Sequence, residues 1–266
     1  MPELPEVETL KRELNRALVG KRFADVSGSF PLADVISREI IDVSRRAKIL
    51  IFTLTGKKFM LVHLKMTGQL VYKNVIGGHP EDPTKYTRVS FTFTDHSKLL
   101  FNDLRKFGWI KIVGETELQK IFSDTGVEPL EKEFTLARFS EILARYPKRK
   151  LKQLLLDQTL VAGLGNIYVD ESCFSAGILP TRIAGSLTNV ELEKLHTSII
   201  SVLKLSISKK GTSSRNYVRA NGQSGGMVPH LNVYGRSKEK CKVCGEKISK
   251  IKLNGRGTHF CTKCQR

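Results

Sequence analysis

CKVCGEKISKIKLNGRGTHFCTKC, residues 241–264, holds four of the five cysteines of this 266-residue chain as two C-x-x-C pairs, Cys241 with Cys244 and Cys261 with Cys264. Each C-x-x-C turn can present two thiolates to one ion. The stretch 245–260 between them is long enough for a β-hairpin that brings the pairs together, so the spacing reads as one tetrahedral, structural zinc site. Two disulfides or a redox pair are the other readings of these cysteines. A segment this short cannot bury a core, so zinc-binding free energy would be its folding free energy. The expected unit is a zinc-ribbon hairpin over residues 230–266.

Around this unit the charge is lopsided. The net charge is +18, and from Lys204 onward fifteen Lys and Arg face only Glu239 and Glu246. So strong an asymmetry beside a metal module favours a polyanion, with nucleic acid the leading partner. An acidic membrane surface fits less well, because Gly, Asn and Ser interrupt the basic stretch where an amphipathic helix would be needed. No run approaches the roughly 18 apolar residues of a membrane span, and the N-terminal MPELPEVETLKRELNR has no apolar signal core. The expectation is a soluble, cytoplasmic protein. Cys173, left over once the zinc is assigned, fits a thiol packed as a small hydrophobe in a reducing compartment.

Toward the N-terminus, Leu4, Val7, Leu10, Leu14 and Leu18 recur at helical spacing, with Gly20 placed to end the helix. From Arg22 to about Val113 the pattern becomes short β-rich runs, among them 49–54, 59–64, 89–93 and 98–101, which predict an antiparallel sandwich or barrel. After Gly126-Val127-Glu128-Pro129 the periodicity turns helical, with helices expected near 135–146, 149–157, 166–176 and 188–209. The domains are therefore drawn as 1–125, 130–225 and 230–266, in an α+β chain. Residues 211–235, rich in Gly, Ser and Asn, form a long loop of the kind that is functional or disordered.

The first residues carry candidate chemistry. Removal of Met1 would leave Pro2 with a secondary amine, partly unprotonated near neutral pH if its pKa is about 8. Such an amine can attack a sugar carbon and form an iminium. Pro2 can equally be a helix-starting proline. Glu3 and Glu6, one turn apart, stand near the amine as acid or base, or as acids that compensate the helix dipole. In GLGN the glycines precede a helix N-terminus, where Asn166 would contact a phosphate or cap the helix.

PELPEVE at 2–8, SRRAK at 44–48, HLKMTG at 63–68, NDLRKFG at 102–108, GLGNIYVDE at 163–171 and GRGTHFCTKC at 255–264 occur in an order that resembles the formamidopyrimidine-DNA glycosylases over nearly the whole chain. These are bifunctional enzymes that excise oxidised purines such as 8-oxoguanine and nick the abasic strand. The resemblance implies an N-terminal β-sandwich, a helix-two-turn-helix domain and the zinc finger, acting on damaged double-stranded DNA in the nucleoid; with no oligomerisation feature in the sequence, a monomer is expected. It makes Pro2 the nucleophile at C1′, Glu3 the acid that protonates the opening sugar, Glu6 a supporting group and Lys48 the residue of β-elimination. Met66, Arg105 and Phe107 match the triad that fills the hole left by an extruded nucleotide.

By the same resemblance Asn166 grips a phosphate, Lys152 and Arg149 add backbone contacts, and Arg256 serves phosphate binding and δ-elimination. Arg215 and Tyr217 would face the damaged base from the long loop. Where relatives often carry a histidine, this chain has Lys85-Tyr86-Thr87-Arg88, so Tyr86 or Arg88 stands in for a DNA contact. An oxidised-pyrimidine glycosylase would start closer to PEGPE than to PELPE. A catalytically silent zinc protein would not need Pro2, Glu3 and Lys48.

Overall fold

The five apolar residues of the first periodic segment are fully buried along one side of α1 (Leu4–Leu18), as their spacing requires. The computed structural model describes residues 1–74, 84–214 and 216–266. After α1 the chain forms β1 (Phe23–Gly28), β2 (Ile40–Arg46), β3 (Ile49–Leu54), β4 (Lys58–His63), β5 (Gly68–Lys73), β6 (Thr87–Phe93), β7 (Lys98–Asp103) and β8 (Trp109–Val113). These pair antiparallel into two four-stranded sheets, ordered β1-β6-β7-β5 and β2-β3-β4-β8. Alternation decides which face is buried. In β3, Leu50, Phe52 and Leu54 point into the core while Ile49, Ile51 and Thr53 are half-exposed. Side chains from both sheets and from α1 make one core, in which the Phe23 ring contacts both Phe91 and Phe93.

The expected sandwich is therefore present, and α1 closes part of it. The helical region follows as α2 (Glu115–Phe122), α3 (Leu136–Ala144), α4 (Leu151–Leu155), α5 (Asn166–Ala176) and α6 (Asn189–Ser208), then β9 (Ser249–Leu253) and β10 (Arg256–Phe260). The α2 helix had no counterpart in the sequence reading. Its apolar positions, Leu118, Ile121 and Phe122, span little more than one turn, and none of its eight residues is fully buried. In α5, residues 167–173 are all buried, polar ones included. A helix enclosed on all sides pairs most of its polar groups within the protein, as Tyr168, Asp170 and Glu171 do.

The chain divides into two compact units: Met1–Ser123 with Ile207–Val228, and Asp124–Ser206 with Pro229–Arg266. The stretch 207–225, grouped by sequence with the helical domain, thus packs with the sandwich. Tyr217 and Ala220 join the sandwich core, and Tyr72 donates its N–H to Ala220 O at 2.7 Å. Among the described residues, no helix is long and apolar enough to cross a membrane.

Candidate active site and zinc centre

In the first unit, the candidate nucleophile sits at the start of α1. Pro2, Glu3 and Glu6 are buried, and Met1 precedes them exposed. Glu3 is the N-cap, and Glu6 Oε2 accepts the Glu3 N–H at 2.8 Å, as the third-position acid of a capping box does. Glu6 Oε1 accepts the Thr212 N–H at 2.8 Å, which ties the first turn of α1 to the 207–228 segment. The close fit requires glycine at 211: its φ is +83°, and a Cβ there would lie 2.9 Å from the Tyr217 ring and 3.1 Å from the Glu6 side chain.

Lys48 lies in the two-residue turn between β2 and β3, where Arg46 faces Ile49 across the ladder. Ala47 adopts a left-handed φ of 52°, a conformation that strains an L-residue by about 1–2 kcal/mol. Arg45 braces that turn, donating to Ala47 O at 3.0 Å and pairing with Glu8 Oε2 at 3.1 Å while almost fully buried. Glu8 belongs to α1, two residues beyond Glu6, so one buried ion pair couples the helix of Pro2 to the turn of Lys48. Burial alone would raise the Glu8 carboxyl, yet Lys11, Arg12 and Arg45 together hold it below its ordinary range.

His63 ends β4, opposite Ile49. Burial first, then the charges of Lys65 and Lys48, push its pKa down to about 3. Its Nδ1 lies 2.9 Å from the Lys65 N–H, so in the neutral ring Nδ1 is the acceptor and Nε2 carries the proton.

The expected hole-filling residues come from two separate loops. Met66 and Phe107 are exposed despite being large and apolar, and the Arg105 guanidinium lies 4.8 Å over the Phe107 ring. Thr67 and Asp103 join the loops. Thr67 Oγ1 donates to Asp103 Oδ1 and accepts the Arg105 N–H at 2.9 Å, while Asp103 Oδ2 accepts the Gly108 N–H at 2.7 Å. A Cβ at Gly108 would approach Phe101 to 2.7 Å. Tyr86 is exposed, and its carbonyl accepts the Asp103 N–H at 2.9 Å, so it lies beside the same loop.

Two expectations for the long loop end differently. Arg215 lies outside the described residues. Tyr217 is not directed at a ligand: its ring is buried in the core and its hydroxyl donates to Lys210 O at 3.2 Å. Burial, reinforced by Glu6 and Glu13, pushes that phenol well above its ordinary range. Glu13 also holds the segment, accepting the Ala220 N–H at 3.0 Å and pairing with Arg219.

In the second unit the four cysteine Sγ atoms lie within 4.8 Å of one another. Cys241 to Cys264 is 3.8 Å and Cys244 to Cys261 is 3.4 Å. A tetrahedron with Zn–S bonds of about 2.3 Å has edges of about 3.8 Å, whereas a disulfide needs about 2.05 Å. These residues fit one zinc ion. The ligand turns enclose a core of only Val233, Cys241, Ile248 and Cys261, too small to fold the module unaided. Between the pairs, β9 and β10 form a hairpin whose Asn254-Gly255 turn has both φ angles positive, 46° and 76°. That is the geometry Asn-Gly favours, and it presents an exposed Arg256 on the first position of β10.

Lys152 departs from the role expected of it. It is 1% exposed, its ammonium lies 2.6 Å from Asp170 Oδ1, and it donates to Gly257 O at 3.0 Å. The run Lys148-Arg149-Lys150 suggested an outward-facing neighbour, but the short α4 turns Lys152 inward. Asn166 does not cap α5 either: Gly165 does, and Asn166 Nδ2 donates to Gly257 O at 2.9 Å. Arg149 keeps partial exposure while pairing with Asp157 at 3.1 Å through both terminal nitrogens. Arg149, Lys152, Asp157, Asn254 and Arg256 line one cavity of about 230 Å³ in this unit.

Family models match almost end to end. The formamidopyrimidine-DNA glycosylase N-terminal domain covers residues 1–110, the H2TH domain of the same family 125–218, and the zinc finger found in FPG and IleRS 238–266. The chain belongs to the formamidopyrimidine-DNA glycosylase family. It is 41% identical to the formamidopyrimidine-DNA glycosylase of Geobacillus kaustophilus over 280 residues and 40% identical to that of Listeria innocua over 282, with all of both chains covered in each case. Among solved structures, a Lactococcus lactis FPG variant in complex with Fapy-dG-containing DNA matches at TM-score 0.91 and 36% identity over 100% of both chains. MutM in complex with carbocyclic 8-oxo-G DNA matches at TM-score 0.90 and 36% identity, also over 100% of both. As a member of this glycosylase family, the chain has sandwich, helix-two-turn-helix and zinc-finger parts in the family's order.

Glu8, Arg45, Thr67, Asp103 and Asp170 had no assigned part in the sequence reading. The signal available for Asp103 was local, since Asp-Leu-Arg is the start of an Asx turn. Glu8 and Asp170 lay inside quoted motifs, but their partners are distant in sequence.

Proposed function

We propose that this protein is a base-excision-repair DNA glycosylase for oxidised purines with abasic-site lyase activity, acting as a monomer on damaged double-stranded DNA inside the cell. The observation that carries the reading is the Glu8–Arg45–Ala47 brace. It holds the turn of Lys48 against α1, whose N-terminal end carries Pro2, Glu3 and Glu6. A prolyl amine, two carboxylates and a lysine are the groups that imine chemistry on a sugar needs.

Once Met1 is removed, the Pro2 nitrogen attacks C1′ of the damaged nucleoside, and the base departs with the glycosidic electron pair and takes up the proton that the amine releases. Ring opening breaks C1′–O4′, Glu3 protonates O4′, and the nitrogen lone pair completes the iminium. Loss of a C2′ proton then expels the 3′ phosphate by breaking C3′–O, with Lys48 serving this β-elimination. Loss of the C4′ proton breaks C5′–O and expels the 5′ phosphate, with Arg256 holding the departing group. Water hydrolyses the iminium and frees the amine. Zinc, bound by Cys241, Cys244, Cys261 and Cys264, supplies the fold of the module that carries Arg256.

Met66, Arg105 and Phe107 fill the space of the extruded nucleotide, the apolar side chains stacking and the arginine hydrogen-bonding the orphaned base. Asn166, Arg149 and Tyr86 serve the DNA backbone. Lys152 supports the strand that carries Arg256 from the interior, donating to Gly257 O at 3.0 Å. Single-turnover excision from duplexes carrying 8-oxoguanine, a formamidopyrimidine or an oxidised pyrimidine tests the reading. Faster release of the two purine lesions supports it, and preferential release of the pyrimidine overturns it.

A further inference from the structure

We propose that Lys152 and Asp170 are positioning residues that set the register of Arg256, an inference that rests on the reading of Arg256 given above. Arg256 begins β10, and the carbonyl of the next residue, Gly257, accepts from both Lys152 Nζ at 3.0 Å and Asn166 Nδ2 at 2.9 Å. Asp170 Oδ1 accepts from the same Lys152 ammonium at 2.6 Å, and its Oδ2 accepts the His259 N–H at 2.9 Å. Two successive inward-facing points of the strand, at 257 and 259, are thereby fastened to α4 and α5.

The pair is enclosed, with Lys152 1% and Asp170 0% exposed at the side chain. Exchanging such a pair for apolar side chains is often neutral or stabilising, so stability alone does not account for it. What directional charged groups add is a unique position. A hairpin of this size with a four-residue core could slide or tilt on α5 if only apolar contacts held it. The neighbouring Glu171 repeats the arrangement on the chain entering the module. Its carboxylate accepts the N–H groups of Asn232, Val233 and Tyr234, each at 2.8 Å. Adjacent acids of one helix therefore hold both the entry to the zinc module and the strand that displays Arg256.

The test uses the full zinc-loaded chain on an abasic-site duplex and reads the ratio of δ- to β-elimination products. The ratio is internal to each reaction, so loss of folded protein lowers both products together and leaves it unmoved. Arg256→Ala establishes how far the ratio falls without the guanidinium. Asp170→Asn should lower it about tenfold, in keeping with the sensitivity of such steps to ångström-scale misplacement. Because that variant strands a buried ammonium, the double variant Lys152→Met/Asp170→Asn provides a neutral interior that still accepts the His259 N–H, and it should show a similar fall at one zinc per chain. A parental ratio in the zinc-loaded double variant overturns the positioning role. A parental ratio in Arg256→Ala overturns the reading of Arg256 and the proposal with it, which separates the two failures.

Discussion

Glu6 Oε1 accepts the backbone N–H of Thr212 at 2.8 Å, and the other oxygen of the same carboxylate accepts the N–H of Glu3 at 2.8 Å. One buried side chain therefore joins the residue beside the candidate nucleophile to a loop more than 200 positions away. Glu6→Gln replaces one acceptor oxygen by a donor facing a donor. A buried N–H left unmatched costs about 1–3 kcal/mol. The expected outcome is destabilisation of that order in urea unfolding. It should also slow base excision more than cleavage of a preformed abasic site, because only excision requires the loop to hold a base. Equal slowing of both would assign Glu6 to the amine alone.

Arg45→Ala removes the brace of the Lys48 turn. Glu8 retains Lys11 and Arg12, at 3.0 and 2.7 Å, so its charge is not stranded. The expected loss is about 2–3 kcal/mol rather than the full penalty of an orphaned buried ion. Lyase activity should fall with it, because Ala47 is held left-handed only by its surroundings. Parental stability together with parental strand cleavage would show that the brace is dispensable.

His63 gives a pH dependence with a definite sign. Its folded pKa, about 3, lies below the unfolded value of 6.5. Between these values the unfolded chain binds a proton that the folded chain does not, so stability falls as pH drops from about 6.5 toward 3, by at most roughly 1.4 kcal/mol per unit. His63→Gln removes this contribution. The difference in unfolding free energy between parent and variant should therefore shift against the parent as pH is lowered from 7 to 5. A difference independent of pH would mean that the ring titrates normally.

Zinc removal should act locally. The module's own core comprises four buried residues, whereas the sandwich has a large core of its own. A chelator should release one zinc per chain and abolish amide-exchange protection across 238–266, leaving β3, β4 and β7 protected. Global loss of protection would mean that the sandwich depends on the metal.

The legible parts of this molecule were those written in local pattern. Leucine spacing marked α1, alternation marked β3, and doubled C-x-x-C marked the metal site. Lys152 was misread because a lysine in a basic run is ordinarily exposed, and its burial depends on Asp170, eighteen residues on and in another helix. Tyr217 was misread for a related reason. A tyrosine in a loop rich in Gly and Ser looks free to meet a ligand, but Glu13 and Tyr72 draw the loop onto the sandwich and the ring goes with it. Neither partner can be inferred from the loop's own composition.

Borohydride trapping on a duplex with a single abasic site or 8-oxoguanine tests the central claim most directly, because reduction fixes an iminium between the Pro2 nitrogen and C1′ as a stable amine. Protein whose Met1 has been removed should form a covalent adduct with both duplexes. Protein that retains Met1, in which the proline nitrogen is an amide, should form none. Absence of any adduct with Met1 confirmed missing, or equal trapping with Met1 retained, would contradict the account.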